Sequence, residues 1–211
     1  MQHLSKLALS LFLLSPGIAW AEAPALPSGV YTLDKAHSAL IFDLNHLGIS
    51  NYTASFDDFD ATLHLDPAHP ENAKLEASVD PRSLDLPHPP EGFKDELLGD
   101  KWLKTGTFPK IRFTSNQIEM TGDRTADVYG QLDFMGVKKP VILSVTFTGG
   151  LNGHPHDPHA RVGFSATAHF KRSDFGFMSG LPEPSSKMGV GDLVEVWIET
   201  EFSGPELKVN P

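Results

Sequence analysis

From residue 29 onward the chain alternates. Apolar and polar side chains take turns over one short stretch after another, the spacing of strands with a single buried face. "DATLHLD" and the Phe before it put Phe59, Ala61, Leu63 and Leu65 on one side. The same spacing aligns Leu75, Ala77 and Val79, then Ile111 and Phe113, then Val128, Gly130, Leu132 and Phe134. Further on it aligns Val141, Leu143, Val145 and Phe147, then Val162, Phe164, Ala166, Ala168 and Phe170, and finally Val194, Val196, Ile198 and Phe202. About eight or nine such strands with turn residues between them predict a mainly β protein, an antiparallel barrel or sandwich. One segment departs from this pattern. Phe93, Leu97, Leu98, Trp102 and Leu103 are helically spaced and predict one or two short helices around residues 90–105, covering an end or flank of the sheet. "GGLNGHPHDPH", 149–159, reads as a Gly/Pro hairpin loop, and 204–211 as a frayed tail. Neither an internal repeat nor a linker divides 29–203, so it reads as one domain.

The stretch "HSALIFDLNHLGIS", 37–50, carries a histidine at each end. Read as one strand, it sends His37 and His46 to opposite faces, ~30 Å apart at ~3.3 Å per residue, which excludes a shared metal or proton. His37 goes with Ala39, Ile41, Asp43 and Asn45. His46 ends an apolar stripe of Leu40, Phe42 and Leu44, either as a turn-bonding residue or as a polar anchor inside an apolar pocket. Several inward faces set alanine or glycine among large residues, as in Val128-Gly130-Leu132. Such positions leave either a taper filled from the opposite wall or a ligand cavity, and both readings stay open at this level.

Composition narrows the chemistry. The first residues hold Lys6, the apolar run "LALSLFLL" and small residues around Ala19-Trp20-Ala21, the pattern of a secretory signal peptide over 1–21, with 22–28 as a linker. The expected location is the periplasm. Without Lys6 the chain carries 16 basic and 27 acidic side chains, a charge of −11, unsuited to nucleic acid or to strong docking on anionic lipid. It has no cysteine, which removes disulfides, thiolate nucleophiles and Cys-based zinc sites. No nucleophile elbow, zinc-protease helix or phosphate loop is present, and no enzymatic role is expected. "HPHDPH" offers His154, His156 and His159 as the best metal candidates, since imidazole suits Zn, Cu or Ni. A solvated loop is the plainer reading of those residues, with a metal-binding module as the alternative function. In "HFKRSDFGF", Arg172 and Asp174 either pair across a turn while Phe175 plugs the barrel, or present a guanidinium to an anionic head group.

Four stretches in order, "YTLDKAHSALIFDLNHLGIS", "FPKIRFTS", "YGQLDFMGVKKPVILSV" and "FKRSDFGF" followed by "VGDLVEVWIETEF", resemble the YceI-like family of bacterial polyisoprenoid-binding proteins. The resemblance implies an extended, lipocalin-like antiparallel barrel over 29–203, periplasmic and without catalytic activity. Its lumen holds a polyisoprenoid, quinone-type or other amphiphilic lipid, with no other cofactor. It makes Leu40, Phe42, Leu44 and His46 lumen residues and places Arg172, Asp174 and Phe175 at a turn. Strand alternation adds Phe113, Leu132, Phe134, Phe147, Phe164 and Phe170 to the expected lumen, and Arg172 and Asp174 are the head-group candidates. Where the family pattern has an Arg-Asp pair in the helical insert, this chain has Lys94-Asp95. A transient membrane contact and a homodimer are further expectations.

Overall fold

The computed structural model describes residues 26–154 and 157–207. The signal-peptide pattern therefore lies outside the described residues. Eleven strands form one antiparallel sheet: β1 (Gly29–Leu33), β2 (Ala39–His46), β3 (Ser50–Phe56), β4 (Phe59–Leu65), β5 (Lys74–Val79), β6 (Leu84–Asp85), β7 (Ile111–Met120), β8 (Thr125–Phe134), β9 (Val137–His154), β10 (Asp157–Lys171) and β11 (Val190–Glu206). The order β1-β4-β5-β7-β8-β9-β10-β11 closes on itself through β1–β11, giving an eight-stranded barrel.

The long strand β11 gives the barrel its shape. One edge pairs with β10 throughout. The other edge takes β1 near its C-terminus, Leu33 opposite Phe202, and then β2, from Ala39 opposite Glu199 to Val190 opposite His46. A 3-10 turn at Lys35–His37 makes the corner between them, capped by the Asp34 carboxylate accepting from Ala36 N. His37 therefore lies in that turn, not in the strand expected for it. Beyond β2 the sheet continues through β3 to the two-residue β6 and stops.

At one end the wall is thus a closed ring. At the other end no strand pairing joins β6 to β7 among the described residues. The segment 86–110 lies across that interval and contains the one α-helix among the described residues, α1 (Phe93–Leu98), with turns following it. Phe93, Leu97 and Leu98 pack on Ala54, Leu84 and Leu86, while Leu103 also reaches the Phe113 cluster on the far side. Phe108 seals the segment against the β8–β9 turn, where Met135 and Gly136 are both left-handed. Their φ angles are 53° and 76°, the geometry of a tight two-residue hairpin.

Two expectations need correcting. The loop expected over 149–159 is mostly strand: β9 runs to His154 and β10 begins at Asp157. Among the described residues, Pro158 and Gly149 fall at register shifts, between Asp157/Ala160 and between Gly163/Phe164, and the ladder continues past them. The tail expected from 204 is strand to Glu206, because Glu206 pairs with His159 and Tyr31 packs over Gly204.

Candidate functional site: an apolar lumen

The inward faces of the strands do not meet in the middle. They enclose a continuous cavity of about 890 Å³ that runs from the closed end to the helix-covered end. At the closed end it is walled by Leu26, Leu63, Leu65, Leu75 and Phe202. Its middle passes Phe164, Ala166, Val145 and Ile198. At the other end Leu44, His46, Tyr52, His88, Phe93 and Trp102 frame it. The volume lies toward the upper end of the ~300–1,000 Å³ range of small-molecule sites.

The structure places all ten expected lumen residues, Leu40, Phe42, Leu44, His46, Phe113, Leu132, Phe134, Phe147, Phe164 and Phe170, on this wall. Strand parity explains this: each stripe keeps to one face, and the outer stripes carry Glu195, Glu199 and Glu201. A barrel that is charged outside and greasy inside is the inverse of a membrane-spanning one. The two readings of the small residues both hold, at different places. At Gly130 the space is filled, since the Phe113 ring would come within 2.3 Å of any Cβ there. At Ala166 and Ala168 it is open and forms part of the cavity wall.

Aromatic rings close the upper interior. Phe134 makes edge contacts with Phe170, Phe175 and Phe177, at centroid distances of 6.3, 5.7 and 5.9 Å. Trp102 meets Phe177 edge-on at 6.0 Å, tying the 86–110 segment to this plug.

Arg172 requires a correction. It touches the lumen wall and is 1% exposed, but its donors are already engaged. Nε donates to Gly191 O at 2.8 Å, one terminal nitrogen to Val190 O at 2.7 Å, and the other to Ser179 O at 2.5 Å and Phe177 O at 3.4 Å. The guanidinium also lies over the Phe177 ring at 5.0 Å. It pins the loop 176–189 onto the barrel end, and little of it is left for a ligand head group. Burial pulls its pKa below the usual arginine range, and the Asp192 carboxylate opposes that shift. Asp174 is exposed and does not pair with Arg172; the acid that orders the turn is Asp192, which accepts from Ser173 N and Oγ at 2.9 and 2.8 Å.

The histidine-rich motif is only partly visible. His156 and the side chain of His154 lie outside the described residues. His159 Nδ1 is 2.8 Å from Asp157, whose other carboxylate oxygen holds Arg161 at 2.6 Å. Arg161 also binds Asp34, which in turn accepts from His37 at 3.0 Å. The hydrogen bonds from His37 and Arg161 bring the Asp34 carboxyl down to about 2. Asp34, His37 and Glu201 lie close enough to share a metal ion, but the Arg161 guanidinium already supplies the cation there. We read this cluster as a clasp across the corner between β1 and β2.

The stripes aligned by spacing leave out two parts of the wall. β3 presents Tyr52, Ala54 and Phe56 at period 2, a signal that was there to be read. His88 comes from the irregular stretch before α1, where no period points inward, and sits in left-handed backbone, φ 49°; Trp102, one of the helically spaced residues, reaches the wall from the turns after α1.

A closed antiparallel barrel with a ligand-sized apolar interior belongs to the class of hydrophobic-cavity barrels. Within that class the comparisons are specific. The YceI-like domain matches residues 31–202, and the chain belongs to that family. It is 34% identical over 191 residues to a UPF0312 protein of Pseudomonas savastanoi pv. phaseolicola, covering 88% of this chain and 91% of the relative. Among solved structures, a YceI protein of Campylobacter jejuni superposes with a TM-score of 0.63 at 27% identity, over 77% of this chain and 90% of that one. BcnA of Burkholderia cenocepacia shares the fold at TM-score 0.67 and 24% identity, covering 80% of this chain and 98% of its own. A polyisoprenoid binding domain from Saccharophagus degradans does so at TM-score 0.59 and 16% identity, over 83% and 98%.

Proposed function

We propose that this protein is a non-enzymatic carrier that holds a long-chain isoprenoid or similar amphiphilic lipid in its lumen. One observation carries the reading: the lumen is continuous, about 890 Å³, and walled mainly by apolar side chains, chiefly Leu, Val, Ile, Ala and Phe. Such a wall offers a ligand almost no hydrogen bonds. It selects for length and flexibility, and the binding energy comes from taking apolar surface out of water. At ~0.3 kcal/mol per heavy atom, a 20-carbon chain gains ~6 kcal/mol, a dissociation constant on the order of 40 μM before any head group contributes. The Saccharophagus neighbour is described as polyisoprenoid-binding, which agrees in ligand class. Polar groups lie on the wall at both ends, His46, Tyr52 and His88 at the helix-covered end and Asp123, Arg124 and Thr125 at the β7–β8 turn; the first set flanks the mouth and suits an amphiphile whose head stays there.

Export belongs to the same proposal. The residues before Glu22 have the composition of a signal peptide, and a periplasmic carrier has lipid leaflets on both sides of it. Cell fractionation with N-terminal sequencing tests this: a mature chain starting at Glu22 in the periplasmic fraction supports it, and an uncleaved cytoplasmic chain overturns it. The lipid reading is tested by native mass spectrometry of the purified protein, followed by denaturing extraction. An isoprenoid-type lipid at near one per chain is the expected result. A protein that copurifies with no lipid and takes up no apolar probe refutes the reading.

A further inference from the structure

The three most exposed large apolar side chains among the described residues are Ile49, Met188 and Met178, at 82%, 71% and 60%. They come from two separate pieces of chain, the β2–β3 turn and the loop 176–189. The structure fastens those pieces together. Leu47 N donates to Gly189 O at 2.8 Å, and Lys187 packs against Gly48, filling the space where a Cβ would stand. They also stand at the mouth of the lumen. Val190 pairs with His46, and Gly180 lies against Trp102; His46, Val190 and Trp102 are all wall residues.

Charge at this end is mixed: residues 99–104 and 171–189 expose Lys101, Lys104, Lys171 and Lys187 against Asp100, Asp174 and Glu183, and the helix segment beside them adds Glu91, Asp95 and Glu96. The cations stand next to the apolar tips, however: Lys187 adjoins Met188 and packs on Gly48, and Lys101 O accepts from Ser179 Oγ beside Met178. The tips therefore carry their own cations toward an anionic surface, although the whole chain is at −10. The apolar residues are turn tips with lysines among them. Protein partners need a contiguous apolar patch at the centre of the interface. Shallow insertion at a lipid head-group layer needs only protruding apolar tips flanked by cations.

We propose that this end of the barrel docks on a membrane. Ile49, Met178 and Met188 enter the head-group region of a bilayer containing anionic lipid, and the mouth beside them receives or releases the ligand chain. The inference rests on the lipid-holding reading and adds where, and with which residues, the exchange takes place.

Vesicle flotation with the mature protein tests it, using phosphatidylethanolamine/phosphatidylglycerol vesicles against phosphatidylcholine alone. The wild type is expected to float with the anionic vesicles. The triple variant Ile49→Ser, Met178→Ser, Met188→Ser is expected to lose at least tenfold in bound fraction while binding a nitrobenzoxadiazole-labelled geranylgeranyl probe as the wild type does. Lys101→Glu with Lys187→Glu should lose the preference for phosphatidylglycerol. Should the triple variant fail to fold, Ile49→Trp serves instead, and its added tryptophan emission should shift to the blue with vesicles. Wild type that binds the probe but never floats, or emission at position 49 that ignores vesicles, overturns the docking and leaves the lipid-holding reading standing. Loss of probe binding by the wild type itself brings down the underlying reading instead. A dimer that the triple variant abolishes, without vesicle binding, assigns the face to a second copy and equally overturns the proposal.

Discussion

Ala166 is the place to ask whether the lumen works as one tube. It sits on β10 between Val145 of β9 and Ile198 of β11, all three on the cavity wall. It lies between the Tyr31/Val162 cluster at the closed end and the Phe113/Phe175 cluster at the other. The change Ala166→Trp puts a ring into empty space, so overpacking should cost the fold little, below the ~1–3 kcal/mol typical of a filled core. For a ligand the effect is large. A 20-carbon chain confined to one side loses contact for about half its length. Ten carbons at ~0.3 kcal/mol each amount to ~3 kcal/mol, or ~150-fold in affinity. A fluorescence titration with the labelled geranylgeranyl probe reads this directly, with circular dichroism and a thermal melt to establish the fold. A labelled chain of about ten carbons, short enough to fit one half, should lose less than fivefold. Wild-type affinity for the 20-carbon probe in a folded Ala166→Trp protein would refute the single-tube reasoning.

Three further outcomes follow from the same geometry. Arg172→Met removes the donor that satisfies four carbonyls around the loop 176–189 and should destabilise the protein by ~3–5 kcal/mol, seen as a lowered urea midpoint; a loss under ~1 kcal/mol would mean those carbonyls find other partners. Acid should weaken the fold in a defined window. Arg82 brings Asp80 to about 2, His37 and Arg161 bring Asp34 to about 2, and backbone and side-chain bonds from His159 hold Asp157 low as well. Since these folded-state values are depressed, their stabilisation is complete above the unfolded carboxylate value of ~3.9 and disappears as pH falls toward 2, so melting temperature should drop steeply there; Arg161→Met should shrink that drop. The pKa of His37, raised by its hydrogen bond to Asp34, acts in the opposite direction, its contribution fading as pH climbs past its folded value. Finally, Leu103→Ser loosens the segment that bridges the open flank and should speed probe release more than it changes the melting temperature, measured by stopped-flow displacement.

The parts of this molecule that could be read in advance are those governed by local rules. Parity along each strand assigns a face, and the face is the same whether the partner strand is near or far in sequence. The lumen residues from Leu40 to Phe170 were therefore legible one strand at a time. The same holds for the helix, because no strand spacing accommodates Phe93, Leu97 and Leu98 together. What remained hidden depends on which edges meet. That β1 and β2 share one edge of β11, and that β6 leaves the wall unpaired, follows from global closure. Neither edge choice leaves a mark in the alternation of those strands.

Arg172 shows the same limit for chemistry. From the sequence, a guanidinium beside "SDFG" could bind a lipid head group or hold a turn, and both readings use the same donors. Burial decides between them. A cation that is 1% exposed must have its donors filled by the protein itself, and the carbonyls of Phe177, Ser179, Val190 and Gly191 do so whether or not a ligand is present. The residue that looked most like a lipid anchor therefore serves the architecture: it fixes the loop that carries Met178 and Met188. The lumen is left to recognise its occupant by length and shape.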